Sequence, residues 1–137
     1  MRVFYCLFLF LCFSCSDNDS GSPESCIPVI FDESKYNSSQ NFGVNLIEYK
    51  LEDLCLKVKL GVSGCDNEHA IELVSNGAVA PSDPTIVFFD FYDMNPQLCE
   101  AYFTIEKEFD MTPIKEKYSE DITVEFRNNI GFVNIDN

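Results

Sequence analysis

Hydrophobic and polar residues alternate along most of the chain after residue 44. The clearest run covers residues 54–60, in which the even positions are apolar and the odd positions are Cys55, Lys57 and Lys59. A period of two is typical of a β-strand with one buried and one solvated face. We therefore expect this strand to point its even residues into a core and its two lysines outward.

The preceding run, residues 45–51, alternates in the same way. Its odd apolar residues, Ile47, Tyr49 and Leu51, are expected to share the buried face. The residue pair at 52–53 separates the two runs and is acidic, which favours a tight hairpin between two antiparallel strands.

Five more segments are predicted to be strands, and polar segments separate them. Residues 85–92 are apolar on both faces, as in a central strand that is covered on each side. Turn-forming and polar residues favour loops at 32–41 and 76–84 and a turn or bulge at 61–67, while 111–117 could form one helical turn. The five predicted strands are 69–74, 85–92, 98–109, 122–126 and 132–135.

Seven predicted strands, regularly spaced turns and no amphipathic helix of useful length indicate one all-β domain over residues 26–137. We expect an immunoglobulin-like antiparallel β-sandwich of about seven strands. A small β-barrel is the alternative. The sandwich is favoured because the alternation gives each strand one solvated face.

The first 14 residues have a different pattern. Arg2 precedes an unbroken apolar run, residues 3–13, which as a helix would be about 16 Å long at ~1.5 Å per residue. A hydrocarbon core of roughly 30 Å needs about 20 apolar residues, so this run is too short to span a membrane. It has the length and flanks of a signal-peptide helix, and we expect residues 1–14 to be removed.

The end of this run, Leu11-Cys12-Phe13-Ser14-Cys15, resembles the lipobox of bacterial lipoproteins. In that family the cysteine thiol receives a diacylglycerol, the leader is cut before the cysteine, and the new amino group is acylated. The resemblance implies lipidation of Cys15 and attachment to the outer membrane. Several acyl chains, at ~0.8 kcal/mol per buried CH₂, anchor a protein stably where one chain is marginal. An ordinary secretory leader without a lipid is the alternative.

Residues 15–25 are small, polar and turn-rich, and they are predicted to be a flexible acidic tether. The residues after the lipid cysteine, Ser16-Asp17-Asn18-Asp19, resemble the short acidic export tag of surface lipoproteins of the Bacteroidota. The resemblance implies that the domain faces the cell exterior. Attachment facing the periplasm is the alternative, because any solvated linker has this composition.

Charge narrows the choice of partners. The chain has a formal net charge of −14, and because Arg2 is the only charged residue of the leader, residues 15–137 carry 8 basic and 23 acidic side chains, a net charge of −15. Such a surface argues against binding nucleic acid, whose phosphates require basic side chains, and against docking on anionic lipid headgroups. It is compatible with divalent cations, basic partners or solvent alone.

Four cysteines remain after the leader and the lipidation site: Cys26, Cys55, Cys65 and Cys99. An even number in an oxidising compartment indicates two disulfides, among three possible connectivities. Cys55 points away from the core of its predicted strand, where the segment that holds Cys26 could lie across it. Cys65, at a turn, and Cys99, at the start of a long strand, are then free to bond with each other. We expect the pairs Cys26–Cys55 and Cys65–Cys99.

One group of residues contains side chains that can bind a metal or act in catalysis. It combines Gly-Cys-x-x-x-His at 64–69, which holds the only histidine, with an acidic loop and Cys-x-Ala at 99–101. This combination resembles a recurrent pattern in uncharacterised outer-membrane lipoproteins of the Bacteroidota, over residues 54 to about 113. The resemblance implies compartment and fold more than activity.

Zinc and calcium are the metals that these residue types suit. A Cys65–Cys99 disulfide would remove two zinc ligands, and His69 is in phase with buried strand residues, where a hydrogen-bonded structural histidine is the commoner outcome. Asp90, Asp93 and Asn95 offer oxygen ligands that suit calcium, but their spacing lacks the glycine and distal glutamate of an EF-hand. Four side chains have the ligand types that tetrahedral zinc accepts: Cys65, His69, Asp93 and Cys99.

The sequence assigns no catalytic residue. A Cys–His nucleophile pair needs a free thiol, and the chain has no Gly-x-Ser-x-Gly turn for a serine nucleophile. We expect a lipid-anchored, non-enzymatic binding or structural module of the cell envelope, without a cofactor, whose partner is an envelope protein or a glycan. The alternatives are a metal-dependent protein or enzyme that uses His69 with neighbouring acidic residues, and an assembly factor for another envelope complex.

Overall fold

The computed structural model describes residues 26–41, 43–127 and 131–136. The predicted signal-peptide helix, the tether and the lipidation site Cys15 lie outside these residues. The description below therefore concerns the predicted β-domain.

The described residues form ten strands and two short α-helices, with a 3-10 turn after the first helix. The N-terminal elements are β1 (Ile27–Pro28), β2 (Ile30–Phe31), α1 (Glu33–Ser38) and the 3-10 turn (Ser39–Asn41). The central elements are β3 (Asn45–Glu52), β4 (Cys55–Gly64), β5 (Ile71–Ser75), β6 (Val79–Ala80) and β7 (Thr85–Asp93). The last elements are β8 (Ala101–Asp110), α2 (Thr112–Lys117), β9 (Ile122–Phe126) and β10 (Phe132–Ile135).

Two sheets pack face to face. One has the strand order β1-β8-β4-β3, and the other has the order β10-β9-β7-β5-β2, with β6 also beside β7. Seven of these strands have four or more residues, and they correspond to the seven strands that the alternation predicts; the other three have two residues each. The predicted all-β sandwich is confirmed.

Three of the strand pairings are parallel, although the expected sandwich is antiparallel. β1 pairs with β8, β2 with β5, and β7 with β9 in parallel. β1 and β2 are consecutive pieces of one segment that passes from the edge of one sheet to the edge of the other, with Val29 buried between them. Side chains alternate with a period of two in parallel and antiparallel strands alike, so the sequence pattern does not distinguish the two arrangements.

The core lies between the sheets and is filled by the alternating apolar residues. The even residues of β4 from Leu56 to Val62 are buried, as predicted, and they belong to one cluster with alternate residues of β7, β8 and β9. Phe91 stacks on Phe126 with ring centroids 5.6 Å apart, and it packs obliquely against Phe109 at 6.2 Å. Burial of large aromatic side chains contributes strongly to the stability of such a core.

A β-bulge corrects the predicted orientation of β3. In the pairing with β4, Ile47 is an extra residue between Leu46 and Glu48. An extra residue reverses the alternation on one side of the bulge. Leu46 therefore packs against the core and Ile47 is 45 % exposed. The prediction that Ile47 shares a buried face with Leu51 is wrong.

The segment 32–41, which the sequence predicts to be a loop, contains helix α1. Asp32 caps this helix, because its Oδ1 accepts a hydrogen bond from the Lys35 N–H at 2.9 Å. The helix packs on β5 and β7 and buries Tyr36, whose ring lies 3.8 Å below the Arg127 guanidinium. Six residues are too few to establish a helical period, so the hydrophobic pattern does not indicate this helix.

β3 and β4 form the predicted tight hairpin. Its two central residues, Asp53 and Leu54, have φ values of 47° and 63°, which are the left-handed values of a type I′ turn. The Leu54 carbonyl accepts a hydrogen bond from the Met111 N–H at 2.8 Å, and its side chain packs against the core. These tertiary contacts offset the cost of a left-handed backbone at leucine.

Other boundaries differ from the prediction by a few residues. β4 continues through Gly61 for three more residues where a turn or bulge is predicted, and β8 begins at Ala101 instead of at residue 98. The predicted loop at 76–84 contains β6, and the predicted helical turn at 111–117 is α2. The side chain of Tyr102 covers Gly61, and an aromatic neighbour of this kind supports a glycine within a strand.

Candidate functional site

The Cys26–Cys55 disulfide holds the start of the described domain to the four-stranded sheet. The two Cα atoms are 6.2 Å apart, and the pairing is the predicted one. Cys55 alternates with the inward Leu56, so the bond lies at the outer side of β4, where the Glu108 carboxylate is 3.9 Å from each sulfur. The predicted tether therefore enters the domain at this corner of the sheet.

The Cys65–Cys99 disulfide joins the loops at the opposite end of the same sheet, as predicted. It links the loop after β4 to the loop before β8, with Cα atoms 4.8 Å apart. The two disulfides span sequence separations of 29 and 34 residues. By the chain-entropy treatment each stabilises the fold by about 3–4 kcal/mol, because it restricts the unfolded chain.

His69 and Asp93 form a buried pair beside the second disulfide. The Nδ1–H of His69 donates to Asp93 Oδ2 at 2.5 Å, and the two side chains are 0 % and 2 % exposed. Asp93 Oδ1 also accepts a hydrogen bond from the Asn95 N–H at 2.9 Å. The predicted interior position of His69 is confirmed. The pair fastens the loop before β5 to the end of β7.

The absence of a side chain at Gly64 leaves room for the ring of His69. A Cβ at Gly64 would lie 2.5 Å from His69 Nε2, so a larger residue would displace the ring. Gln97 closes the same corner: its Oε1 accepts hydrogen bonds from the N–H groups of Cys65 and, at 3.0 Å, of Asp66. Its side-chain amide also donates to Asp66 Oδ1 at 2.8 Å, and this bond is the main cause of the lowered pKa of Asp66.

This geometry limits the chemistry of His69. Its Nε2 is the one buried side-chain nitrogen or oxygen, among the residues that the structure describes, without a hydrogen-bond partner. The ring has no exposed surface, and general acid–base catalysis requires the group to reach the proton that it transfers. In this position the imidazole packs and orients loops.

The four side chains considered as zinc ligands do not assemble into a zinc site. Cys65 and Cys99 form a disulfide, which removes two thiolates from the set. Within residues 26–41, 43–127 and 131–136, one group of three His, Cys, Asp or Glu side chains has ligand atoms within 4.8 Å of one another: Cys26, Cys55 and Glu108. Two members of that group are also joined in a disulfide.

The carboxylates considered for calcium are separated by the sheet. Asp93 faces the core and His69, whereas Asp90 alternates with it and lies toward α1. There the Ser39 hydroxyl is 2.7 Å from Asp90 Oδ2, and Nη1 of Arg127 is 3.4 Å from the same oxygen. The two carboxylates therefore do not face one cation.

The outer face of the four-stranded sheet carries polar and charged side chains. The sequence pattern predicts that they face solvent, and it assigns them no other function. The half nearer the Cys26–Cys55 bond, which we name the charged half, borders a shallow depression of about 290 Å³. Lys50 and Lys57 bond to Glu52 at 2.5 and 2.7 Å, and these hydrogen bonds lower the pKa of Glu52 from 4.5 to about 2. The charged half consists of Glu48, Lys50, Glu52, Lys57, Lys59, Glu106 and Glu108.

The half nearer the Cys65–Cys99 bond, which we name the neutral half, has no charged side chain on the outer face of β3, β4 and β8. A Cβ at Gly61 would overlap the phenol of Tyr102, so that ring lies across the glycine. Tyr102 is nevertheless 58 % exposed. A glycine within a strand is visible in the sequence, but the residue that covers it depends on the strand register. The neutral half consists of Asn45, Gly61, Ser63, Tyr102 and Thr104.

In the described part of the chain, no helix is long and apolar enough to cross a membrane. Comparisons with protein-family models, with curated proteins and with solved structures find no match to this chain.

Proposed function

We propose that the chain is a lipid-anchored, non-enzymatic binding or structural module of the cell envelope, held at the outer membrane through Cys15. The use of the cysteines carries this proposal. The four cysteines of the described domain form two disulfides with each other, so none of them is available to bond with Cys15, whose surroundings resemble a lipobox. Disulfides persist in exported proteins and are rare in the cytosol.

The interior of the domain supports a role without catalysis. The histidine is buried against Asp93 and Gly64, and the four cysteines that could have supplied a nucleophile are oxidised. A nucleophilic cysteine must be a free thiolate that a substrate can reach. The groups exposed on the sandwich are suited to recognition of another molecule.

Metabolic labelling tests the anchor. A bacterial host that produces the full chain is grown with radiolabelled palmitate, and the protein is recovered from the membrane fraction. We expect label in the wild type and in Cys6→Ser, and neither label nor membrane attachment in Cys15→Ser. Cys6→Ser is the matched control because it removes a leader cysteine that lies outside the lipobox-like residues 11–15. Absence of label from the wild type, or label that persists in Cys15→Ser, contradicts the proposal.

The side of the membrane is tested separately. We propose that the acidic tag after Cys15 directs the domain to the cell surface. In a Bacteroidota host, protease added to intact cells should then degrade the domain, and the double change Asp17→Asn, Asp19→Asn should protect it. Protection of the wild type would leave the lipid anchor in place and would refute only the surface location.

A further inference from the structure

The outer face of the four-stranded sheet combines an aromatic platform with many hydrogen-bonding groups. In the neutral half, the phenol of Tyr102 lies across Gly61, which has no side chain to lift it. The face of an aromatic ring carries partial negative charge and attracts the weakly positive hydrogens of C–H groups. The hydroxyl end of Tyr102 is nearest to Gly61, so the side chain reaches along the sheet, and because the residue stays 58 % exposed, a ligand on this face can contact the ring.

Hydroxyl and amide groups surround this ring. Ser63 is directly opposite Tyr102, and Gly61 lies between Asn45 and Thr104 in the three-strand register. The side chains of Ser63, Asn45 and Thr104 are exposed. Ligand sites typically place a few polar groups around an apolar surface to fix the orientation of the ligand.

The charge of the face indicates a neutral ligand. The charged half has three lysines and four glutamates, so its formal charge is −1, whereas residues 15–137 together carry −15. Positive and negative side chains neutralise each other within this half, since Lys50 and Lys57 both bond to Glu52. Such a surface offers both donors and acceptors, and its own charges nearly cancel, so it has no excess of one sign with which to bind a polyanion or a polycation.

The platform also lies far from the point where the tether enters. Cys55 pairs with Asp110 at one end of the β4–β8 ladder, and Tyr102 is eight residues farther along β8. At about 3.3 Å per residue this separation is about 26 Å. Because the proposed anchor precedes Cys26 in the chain, the domain is attached through the Cys26 corner, and the neutral half lies at its other end.

From these observations we infer that the outer face of the four-stranded sheet binds a neutral oligosaccharide, with one sugar ring stacked on Tyr102 and its hydroxyls bonded to the surrounding polar groups. This inference rests on the proposed function as a binding module of the envelope and names its ligand class. A pyranose ring fits because one face is made of C–H groups, while its rim carries hydroxyls that both donate and accept hydrogen bonds. The charged half, beside the platform, provides carboxylate acceptors and ammonium donors for the next sugars along the chain.

Isothermal titration tests this inference on the full chain, purified in a detergent without a sugar headgroup. The probes are neutral hexasaccharides of β-1,4-glucose, α-1,4-glucose, β-1,4-xylose and β-1,4-mannose, with a hexagalacturonate as the anionic comparison. We expect at least one neutral probe to bind and the hexagalacturonate not to bind. Tyr102→Ala should weaken binding about fivefold or more, the loss of a stacked aromatic contact. Tyr102→Phe should retain binding.

Two further variants separate the platform from general effects. Gly61→Ala keeps the tyrosine but lifts its ring, and it should weaken binding as Tyr102→Ala does. Phe132→Ala removes an equally exposed aromatic, 60 % exposed on the other sheet, and it should leave binding unchanged. Thermal unfolding of each variant verifies that the domain is folded during the titration.

Three outcomes overturn the inference: none of the four neutral probes binds, binding survives Tyr102→Ala, or Phe132→Ala weakens binding as much as Tyr102→Ala does. These outcomes are independent of the anchor. Palmitate label without sugar binding refutes only the ligand class, and sugar binding without palmitate label refutes only the lipid anchor.

Discussion

The buried pair of His69 and Asp93 makes a sharp prediction about stability. Replacement of His69 by Ala removes the hydrogen-bond donor to Asp93 Oδ2. The Asp93 carboxyl group, which is 2 % exposed, then keeps a hydrogen bond from the Asn95 N–H. Removal of one partner of a buried pair destabilises a protein by about 3–5 kcal/mol, because the other polar group stays buried without compensation. The space left by the imidazole adds to this cost.

The chain contains a matched control for burial. Lys35 and Glu72 are joined at 2.6 Å, almost the same distance as in the buried pair, but their side chains are 31 % and 12 % exposed. Solvent still reaches this pair, and ion pairs at the protein surface contribute about 0.2–1 kcal/mol. We therefore expect Lys35→Ala to cost much less than His69→Ala, although both variants remove one contact of similar length.

Urea denaturation with the disulfides intact measures both effects. At an m-value of about 2 kcal/mol per M, a loss of about 4 kcal/mol lowers the midpoint by about 2 M. A double-mutant cycle with Asp93→Ala isolates the pair, and neighbours in contact show coupling energies of about 0.5–3 kcal/mol. If His69→Ala costs no more than Lys35→Ala, or if the two single losses in the cycle simply add, the structural role assigned to this pair is refuted.

Three further predictions concern neighbouring features. Gly64→Ala should destabilise the domain by about 1–3 kcal/mol through overpacking, since its Cβ would lie 2.5 Å from His69 Nε2 and 2.7 Å from Gln97 Oε1; urea denaturation should show a smaller cost in a His69→Ala background, where the contact with Gln97 remains, and an equal cost in both backgrounds would contradict the contact with His69. The double change Cys65→Ser, Cys99→Ser should lower the free energy of unfolding by about 3–4 kcal/mol, and a thermal melt of unchanged midpoint would exclude that contribution. Lys50 and Lys57 lower the pKa of Glu52 in the folded state from 4.5 to about 2. The ionised Glu52 therefore stabilises the fold above about pH 4.5, and this stabilisation is lost as the pH falls toward 2. The difference in unfolding free energy between wild type and Glu52→Gln should shrink over that interval, and a difference independent of pH would refute the prediction.

The alternation of apolar and polar residues in the sequence predicts much of this architecture. The inward phase of Leu56 and Val58 places Cys55 on the outer side of β4, and that side is where Cys26 meets it. The phase shared by His69 and the core residues of β5 likewise predicts a buried histidine. These inferences succeed because one buried face imposes a strict period of two on each strand.

The residues that the sequence did not reveal depend on contacts between strands or on short local motifs. Ile47 follows the alternation of its neighbours, but the bulge in the β3–β4 pairing turns it outward. Asp32 is a helix cap whose helix is only six residues long. Asp93 could have been recognised as the partner of His69, because an acidic residue in the inward phase of β7 requires a buried donor.

The distribution of polar groups assigns the proposed recognition to the outside of the sandwich. The buried polar side chains of the described residues each bond to a loop, a helix end or another strand, and His69 Nε2, the one exception, is covered by Gly64. They are Ser39, His69, Ser75, Asp93 and Asp110. Because these groups already stabilise the fold, an action on another molecule has to use exposed groups. The outer face of the four-stranded sheet offers an exposed tyrosine beside lysines and glutamates, and these are the groups on which the proposed binding of a neutral oligosaccharide relies.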